Sequence, residues 1–475
     1  MGFSLKPQPA MTELHHLSAA HLAGLFAKRK LSPVEATEAA LRRIEAWDAS
    51  LNAMYLVQRD QALKAAKAAE KRWKKGKPLS LIDGVPITLK DNIATKGDPM
   101  PLGTAATPLT PRTEDSPIAA RVREAGAAII GKTTMPDFGM LSSGLSSVHG
   151  VTRNPWNLSR NTSGSSSGAG AAAAAGYGPL HVGTDIGGSV RLPAVHCGIF
   201  ALKPSLGRVP IHPPYMGRVA GPMTRSVLDS AILMEILARP DARDFMSLPY
   251  DGVAYSDKLK KLKLKGLRIG LLRDMGVGFK PHPEIAAAVD ECAEALAEAG
   301  AEVVEMKSFM TVEMLDSMGR FFEARSYNDV VAMPQQTRDK ILPFIVEWAT
   351  WRAGAFKGSD VMAYYTQVQA MREAAIKAVG AFDFVISPTS PILPYEAEAA
   401  APGNDPRNAF PHIAFTVAYN MSEQPAASVN WSFTHDGLPL GVQVIGQRFD
   451  DRGVLRLAHA IENLRPAQNA WPEPA

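Results

Sequence analysis

The residues of this chain best suited to chemistry are a lysine, a cluster of serines, and a further serine behind paired glycines. Lys90 lies in Gly84-Val85-Pro86-Ile87-Thr88-Leu89-Lys90-Asp91-Asn92. The apolar, β-branched residues before it read as a buried strand. Burial beside residues such as Leu89 lowers a lysine's pKa and lets it act as a base. The serine cluster is Ser163-Gly164-Ser165-Ser166-Ser167-Gly168, followed by an alanine run that favours helix. The third piece is Thr184-Asp185-Ile186-Gly187-Gly188-Ser189-Val190-Arg191. Adjacent glycines let a substrate come close to the backbone and let successive N–H groups point one way. Such donors suit an oxyanion, and the serine beside them suits nucleophilic attack. Taken singly, either Gly/Ser segment reads as a flexible loop. Taken with Lys90 and the helical run between them, they read as one site for nucleophilic chemistry.

The elements around these residues alternate. Ser32-Pro33-Val34-Glu35 is a capping box with proline at the first helical position. Helices are expected from Asp60 to Lys75, from Ser116-Pro117 to near Gly126, and from Pro283 to Ala299. Short apolar strands are expected at 127–130, 266–272, 303–304, 385–389 and 437–446. Helix and strand in alternation imply an α/β layered fold. A chain of 475 residues often forms two or three domains. No linker-like stretch divides this one, and it has no solenoid-period repeat.

Composition excludes several classes. With 46% hydrophobic and 21% charged residues, the chain is ordinary for a soluble globular protein. A net charge of +4 is too small to argue for nucleic acid. No run approaches the roughly 20 apolar residues of a membrane span. The two cysteines, Cys197 and Cys292, offer no disulfide framework and fit a reducing cytoplasm. Residues 1–10 lack an apolar signal core and read as a flexible extension ahead of one catalytic domain, 11–475. The histidines form no metal-binding cluster, so no metal is expected.

The Gly-Val-Pro-x-x-x-Lys-Asp-Asn segment, Asp185-Ile186-Gly187-Gly188-Ser189-Val190-Arg191-Leu192-Pro193-Ala194, and the segment from Cys197 to Val209 together resemble the amidase signature family of serine hydrolases. The similarity extends from about Leu17 to near Leu464. The resemblance implies a single large α/β domain, a twisted mixed β-sheet of many strands surrounded by helices. It implies catalytic residues Lys90, Ser165 (on a cis peptide) and the nucleophile Ser189. N–H groups around Ile186, Gly187 and Gly188 would hold the oxyanion, with Asp185 and Arg191 supporting the loop. It implies no cofactor. Where the family usually has Pro-Gly-Gly-Ser-Ser-Gly-Gly, this chain has serine at two glycine positions, 163 and 167, which makes any positive φ there harder to meet.

Two other motifs compete with this reading. Gly126 to Thr133 matches a P-loop by letter, but its four intervening residues are apolar and read as strand. Gly164 to Gly168 matches a nucleophile elbow centred on Ser166, but a turn-rich loop precedes it, not a strand.

For substrate, Gly139, Met140 and Leu141 correspond to a loop that lines the acyl pocket in relatives. Their side chains suggest an apolar acyl or aryl group, although core packing explains them equally. The expected activity is hydrolysis of the C–N bond of small, uncharged, largely apolar amides, with anilides, carbamates (a urethanase activity) and aryl esters sharing the carbonyl geometry. The alternative is the A subunit of a glutamine-dependent amidotransferase. That class grips glutamine with an arginine and an acid, and the resemblance puts Trp348 and Ile413 at those places. A partner subunit, nucleic acid and obligate membrane attachment are therefore not expected. A non-catalytic binding protein on the same scaffold is the most distant reading.

Overall fold

The computed structural model describes residues 11–474. The expected extension at 1–10 lies outside the described residues. The apolar runs form one sheet of eleven strands. In chain order these are β1 Met54–Val57, β2 Pro86–Lys90, β3 Ala128–Thr133, β4 Leu180–Asp185, β5 Phe200–Lys203, β6 Val219–Thr224, β7 Arg268–Leu271, β8 Glu302–Glu305, β9 Phe384–Pro388, β10 Ala426–Phe433 and β11 Pro439–Gly446. Their spatial order is β1-β3-β2-β4-β6-β5-β10-β11-β9-β7-β8. The sheet is mixed. β3, β2 and β4 run parallel, as do β9, β7 and β8, and the strands between these groups pair antiparallel.

Side-chain alternation sorts the strands onto two apolar layers. In β9, Phe384 and Ile386 join one core cluster while Val385 joins the other. Helices cover both faces. They include α1 Pro33–Leu51, α2 Arg59–Lys74, α3 Pro117–Glu124, α4 Ser167–Ala175, α5 Arg191–Cys197, α6 Pro283–Glu298, α7 Val312–Val331, α8 Pro343–Thr350 and α9 Ala414–Met421. The expected capping box starts α1: Ser32 Oγ accepts from Glu35 N–H at 3.1 Å, and Glu35 accepts from Ser32 N–H at 2.7 Å. The alanine run makes α4 wholly buried. Its small residues allow close contact with α5, since a Cβ on Gly170 would stand 3.0 Å from Pro193 Cβ. The result is the expected single α/β domain with a large mixed sheet wrapped by helices. No described helix is long and apolar enough to cross a membrane.

Candidate active site

Neighbouring parallel strands bring the chemistry together. β2 ends at Lys90, and β4, in register with it through Leu89 and Val182, ends at Thr184 and Asp185. The loop into α4 supplies Ser165 and Ser166 across a cis Gly164–Ser165 peptide. The loop from β4 into α5 supplies Ile186 to Ser189.

Lys90 is fully buried. Its ammonium nitrogen lies 2.8 Å from Ser165 Oγ, 3.0 Å from Ser166 Oγ and 3.1 Å from Thr184 Oγ1. Burial pulls its pKa down to about 7, against the opposing pull of Asp185 and Asp91. A lysine so placed has a substantial neutral fraction near neutral pH and a serine hydroxyl within proton-transfer reach. Thr184 is steadied in turn by Asn92 Nδ2, which donates to it at 3.0 Å.

The two serines at usual glycine positions resolve differently. Ser163 adopts a left-handed φ of 58°. Its N–H donates to Asn161 Oδ1 at 2.8 Å, which holds the turn. Ser167 begins α4 in helical geometry, where no positive φ is needed.

Asp185 organises the second loop. It accepts from Gly188 N–H at 2.8 Å and Val190 N–H at 3.1 Å. It also accepts from Arg191 Nε at 3.1 Å, Arg191 Nη2 at 3.0 Å and Asn420 Nδ2 at 2.8 Å. Burial alone would raise its pKa, but the Arg191 charge and these hydrogen bonds hold it well below the usual carboxylate range. Arg191 donates further to Thr416 O and Gln443 Oε1. The Gly188 N–H, expected to face substrate with its neighbours, is therefore engaged inside the protein. Gly188 has another use: its φ is +128° and a Cβ there would stand 2.7 Å from Thr416 Oγ1. The N–H groups of Ile186 and Gly187 have no acceptor among the described residues. Thr416 Oγ1 donates to Gly187 O at 2.6 Å and fixes that peptide.

Ser165, Ser189, Ile186 and Gly187 face one cavity. Gly139, Met140 and Leu141 line it, as does Phe138. The opposite wall comes from the helical cover: Phe322 of α7, Trp348 of α8, and Phe410 and Ile413. Phe410 packs between Phe322 and Trp348, with ring centroids 5.9 and 5.7 Å away. Ser166 does not line the cavity. It is fully buried, donates to Thr184 O at 3.1 Å, and accepts from Lys90. His412 reaches the cavity with neither ring nitrogen partnered among the described residues, and burial lowers its pKa to about 3. Lys132, the P-loop lysine by letter, donates into the protein at Asp91 O and Ile93 O.

Sequence reasoning missed several members of this site. Asn92 and Thr184 stood inside the motifs, next to the residues singled out, and Ser166 was weighed only as a competing nucleophile, not as a partner of Lys90. Arg218, Arg325, Phe322, Phe410 and His412 come from distant segments, and no local spacing marks them.

The Amidase family profile matches residues 35–455. Among curated relatives, the A subunit of the glutamyl-tRNA(Gln) amidotransferase of Chloroflexus aggregans is 34% identical over 98% of this chain and 99% of its own. An acylamidase of Rhodococcus erythropolis is 32% identical over 97% and 98%. Among solved structures, a bacterial aryl acylamidase of the amidase signature enzymes superposes with a TM-score of 0.87 at 28% identity, covering 95% of this chain and 96% of that one. A 6-aminohexanoate cyclic dimer hydrolase also gives 0.87, at 26% identity over 98% and 99%. With its mixed eleven-strand sheet and near-complete match, the chain belongs to the amidase signature family.

Proposed function

We propose that this protein hydrolyses the C–N bond of small amides with an apolar or aryl body, through an acyl-enzyme on Ser189. The observation that carries the reading is the buried Lys90–Ser165 contact opening on a cavity walled by aromatic and aliphatic side chains. Neutral Lys90 takes the Ser165 proton as Ser165 takes the proton of Ser189. Ser189 Oγ attacks the carbonyl carbon, and the Ile186 and Gly187 N–H groups receive the oxyanion. Ser165 returns a proton to the leaving nitrogen, the C–N bond breaks, and water then cleaves the ester to release acid and free serine. Asp185 and Arg191 hold the donor loop in shape. Carbamates, anilides and aryl esters present the same carbonyl and belong to the proposed range. The buried free thiols of Cys197 and Cys292 support a cytoplasmic setting.

The second reading is an amidotransferase A subunit working with partner subunits. It is favoured by the curated relatives, several of which carry that name at 33–34% identity. Against it stands the charge of the cavity wall. Trp348 and Ile413 line it, and Asp185, the one carboxylate lining it among the described residues, is already engaged by Arg191 and Asn420 and so is not free to meet glutamine's ammonium. The deciding experiment is a turnover screen of the purified chain on aryl-amide, fatty-amide, carbamate, ester and glutamine substrates. Hydrolysis of the apolar amides by the chain alone is expected. Turnover of glutamine only, and only with added partner subunits, would establish the second reading instead.

A further inference from the structure

Arg218 and Arg325 line the cavity that holds Ser165 and Ser189. Neither forms an ion pair among the described residues. Arg218 donates to Pro213 O, and Arg325 stacks 4.4 Å from the ring of Tyr215. Three of the surrounding acids are otherwise occupied. Glu323 is paired with Arg352 at 2.6 and 2.8 Å, and Asp185 with Arg191 at 3.0 Å. Asp244 accepts from the N–H groups of Ile211 and Met246 at 2.9 and 2.8 Å. Asp329, exposed on an adjoining cavity, pairs with neither arginine. Burial, and then the like charge of Arg325, push the Arg218 pKa down.

The adjoining cavity extends the same site. It is lined by Met100, Leu102, Met135 and Met333, and it shares Asn92, Thr184, Met140 and both arginines with the first. The arginines therefore stand where the space in front of Ser189 meets a second, apolar chamber. Two like charges at an apolar junction repel each other and lack a counter-ion, and an anion bound between them relieves both costs. Guanidinium groups match a planar carboxylate in shape as well as charge.

We propose that Arg218 and Arg325 together bind a carboxylate on the substrate, so that the enzyme prefers amides carrying one anionic group beside an apolar body. This replaces the expectation of uncharged substrates with a class that carries a single negative charge beside the apolar body. A zwitterionic amino acid fits less well beside Ser189, because Asp185, the acid lining that cavity among the described residues, is already engaged by Arg191 and Asn420. The inference rests on reading this cavity as the substrate site.

Two isosteric pairs test it. One pair, 4-acetamidobenzoate and 4-acetamidobenzamide, places the charge on the leaving amine. The other, succinanilate and the matching succinamide anilide, places it on the acyl group. Each is titrated calorimetrically into the full chain carrying Ser189→Ala, where turnover cannot interfere. In at least one pair the carboxylate should bind about tenfold tighter or better, with the margin shrinking as salt rises. Adding Arg218→Gln and Arg325→Gln should bring that ratio to within about twofold of unity. Arg325→Gln alone, at an exposed side chain, should reduce it part-way and guards against misfolding of the double variant. No carboxylate preference in either pair, or a preference that survives the double variant, overturns the inference. Hydrolysis of all four compounds by the unmodified chain is measured alongside. Turnover of none of them would count against the hydrolase reading, independently of the binding ratio.

Discussion

The two sides of the cavity are built on opposite rules. On the sheet side, the charged side chains are matched: Lys90 meets three hydroxyls, and Asp185 and Arg191 are satisfied by Gly188, Val190, Thr416, Asn420 and Gln443. On the cover side, among the described residues, Trp348 Nε1 and both nitrogens of His412 are buried without a partner, and Arg218 and Arg325, which line the cavity, form no ion pair. A closed network fixes one geometry, as proton transfer requires. Unmatched donors beside apolar walls cost stability until a ligand meets them. The difference separates a side built for bond chemistry from a side built for choosing what is cut.

The sharpest way to break this comparison is at the sheet side. Lys90→Ala should lower kcat/KM about 10²–10⁴-fold, the usual worth of a positioned base, with the fold retained by circular dichroism. The unmodified enzyme should show the matching pH dependence. Its base works only when deprotonated, so kcat/KM should rise through about pH 7 to a plateau as Lys90 loses its proton. A loss below tenfold in the variant, or a flat profile with chemistry rate-limiting, would place the base elsewhere.

Asp185→Ala tests whether the closed network also carries stability. Removing the acid strands the fully buried Arg191 charge. About 3–5 kcal/mol of unfolding free energy should be lost, read from urea denaturation. A loss under about 1 kcal/mol would mean that Arg191 finds solvent and that the two sides are not so different.

The cover side should respond more gently. Phe410→Ala removes contacts with the rings of Phe322 and Trp348. An aromatic contact is worth about 0.5–1.5 kcal/mol, so the ratio of kcat/KM between an aryl and a short aliphatic acyl group should change about twofold to tenfold. An equal fall on both substrates would instead make Phe410 part of the shared framework.

Sequence legibility divides along the same line. Lys90, the serine loop and the Gly-Gly-Ser loop were readable because each lies in a short segment whose chemistry is local. The expected strands at 127–130, 385–389 and 437–446 appear within a few residues, as do the helices opened by Ser32 and Ser116. β10 and α9 were missed. Both are almost wholly buried, so neither shows the polar face that periodicity needs. The cover side was legible only in part. Met140 and Leu141 read as core or wall alike, and only tertiary structure sets them in one cavity with Phe410 and the two arginines. The Gly188 N–H shows the limit within a motif: its glycine was visible, but its engagement by Asp185 depends on how the loop closes.

The identity of the nucleophile is the point on which the proposed mechanism turns. Ser189 faces the cavity, while Ser166 is buried and bonded to Lys90 and Thr184. A fluorophosphonate probe followed by peptide mass mapping distinguishes them directly. The adduct should sit on Ser189 in the unmodified chain and in Ser166→Ala, and should vanish in Ser189→Ala. An adduct mapped to Ser166, or labelling that persists in Ser189→Ala, would contradict the assignment and return the nucleophile to the elbow motif.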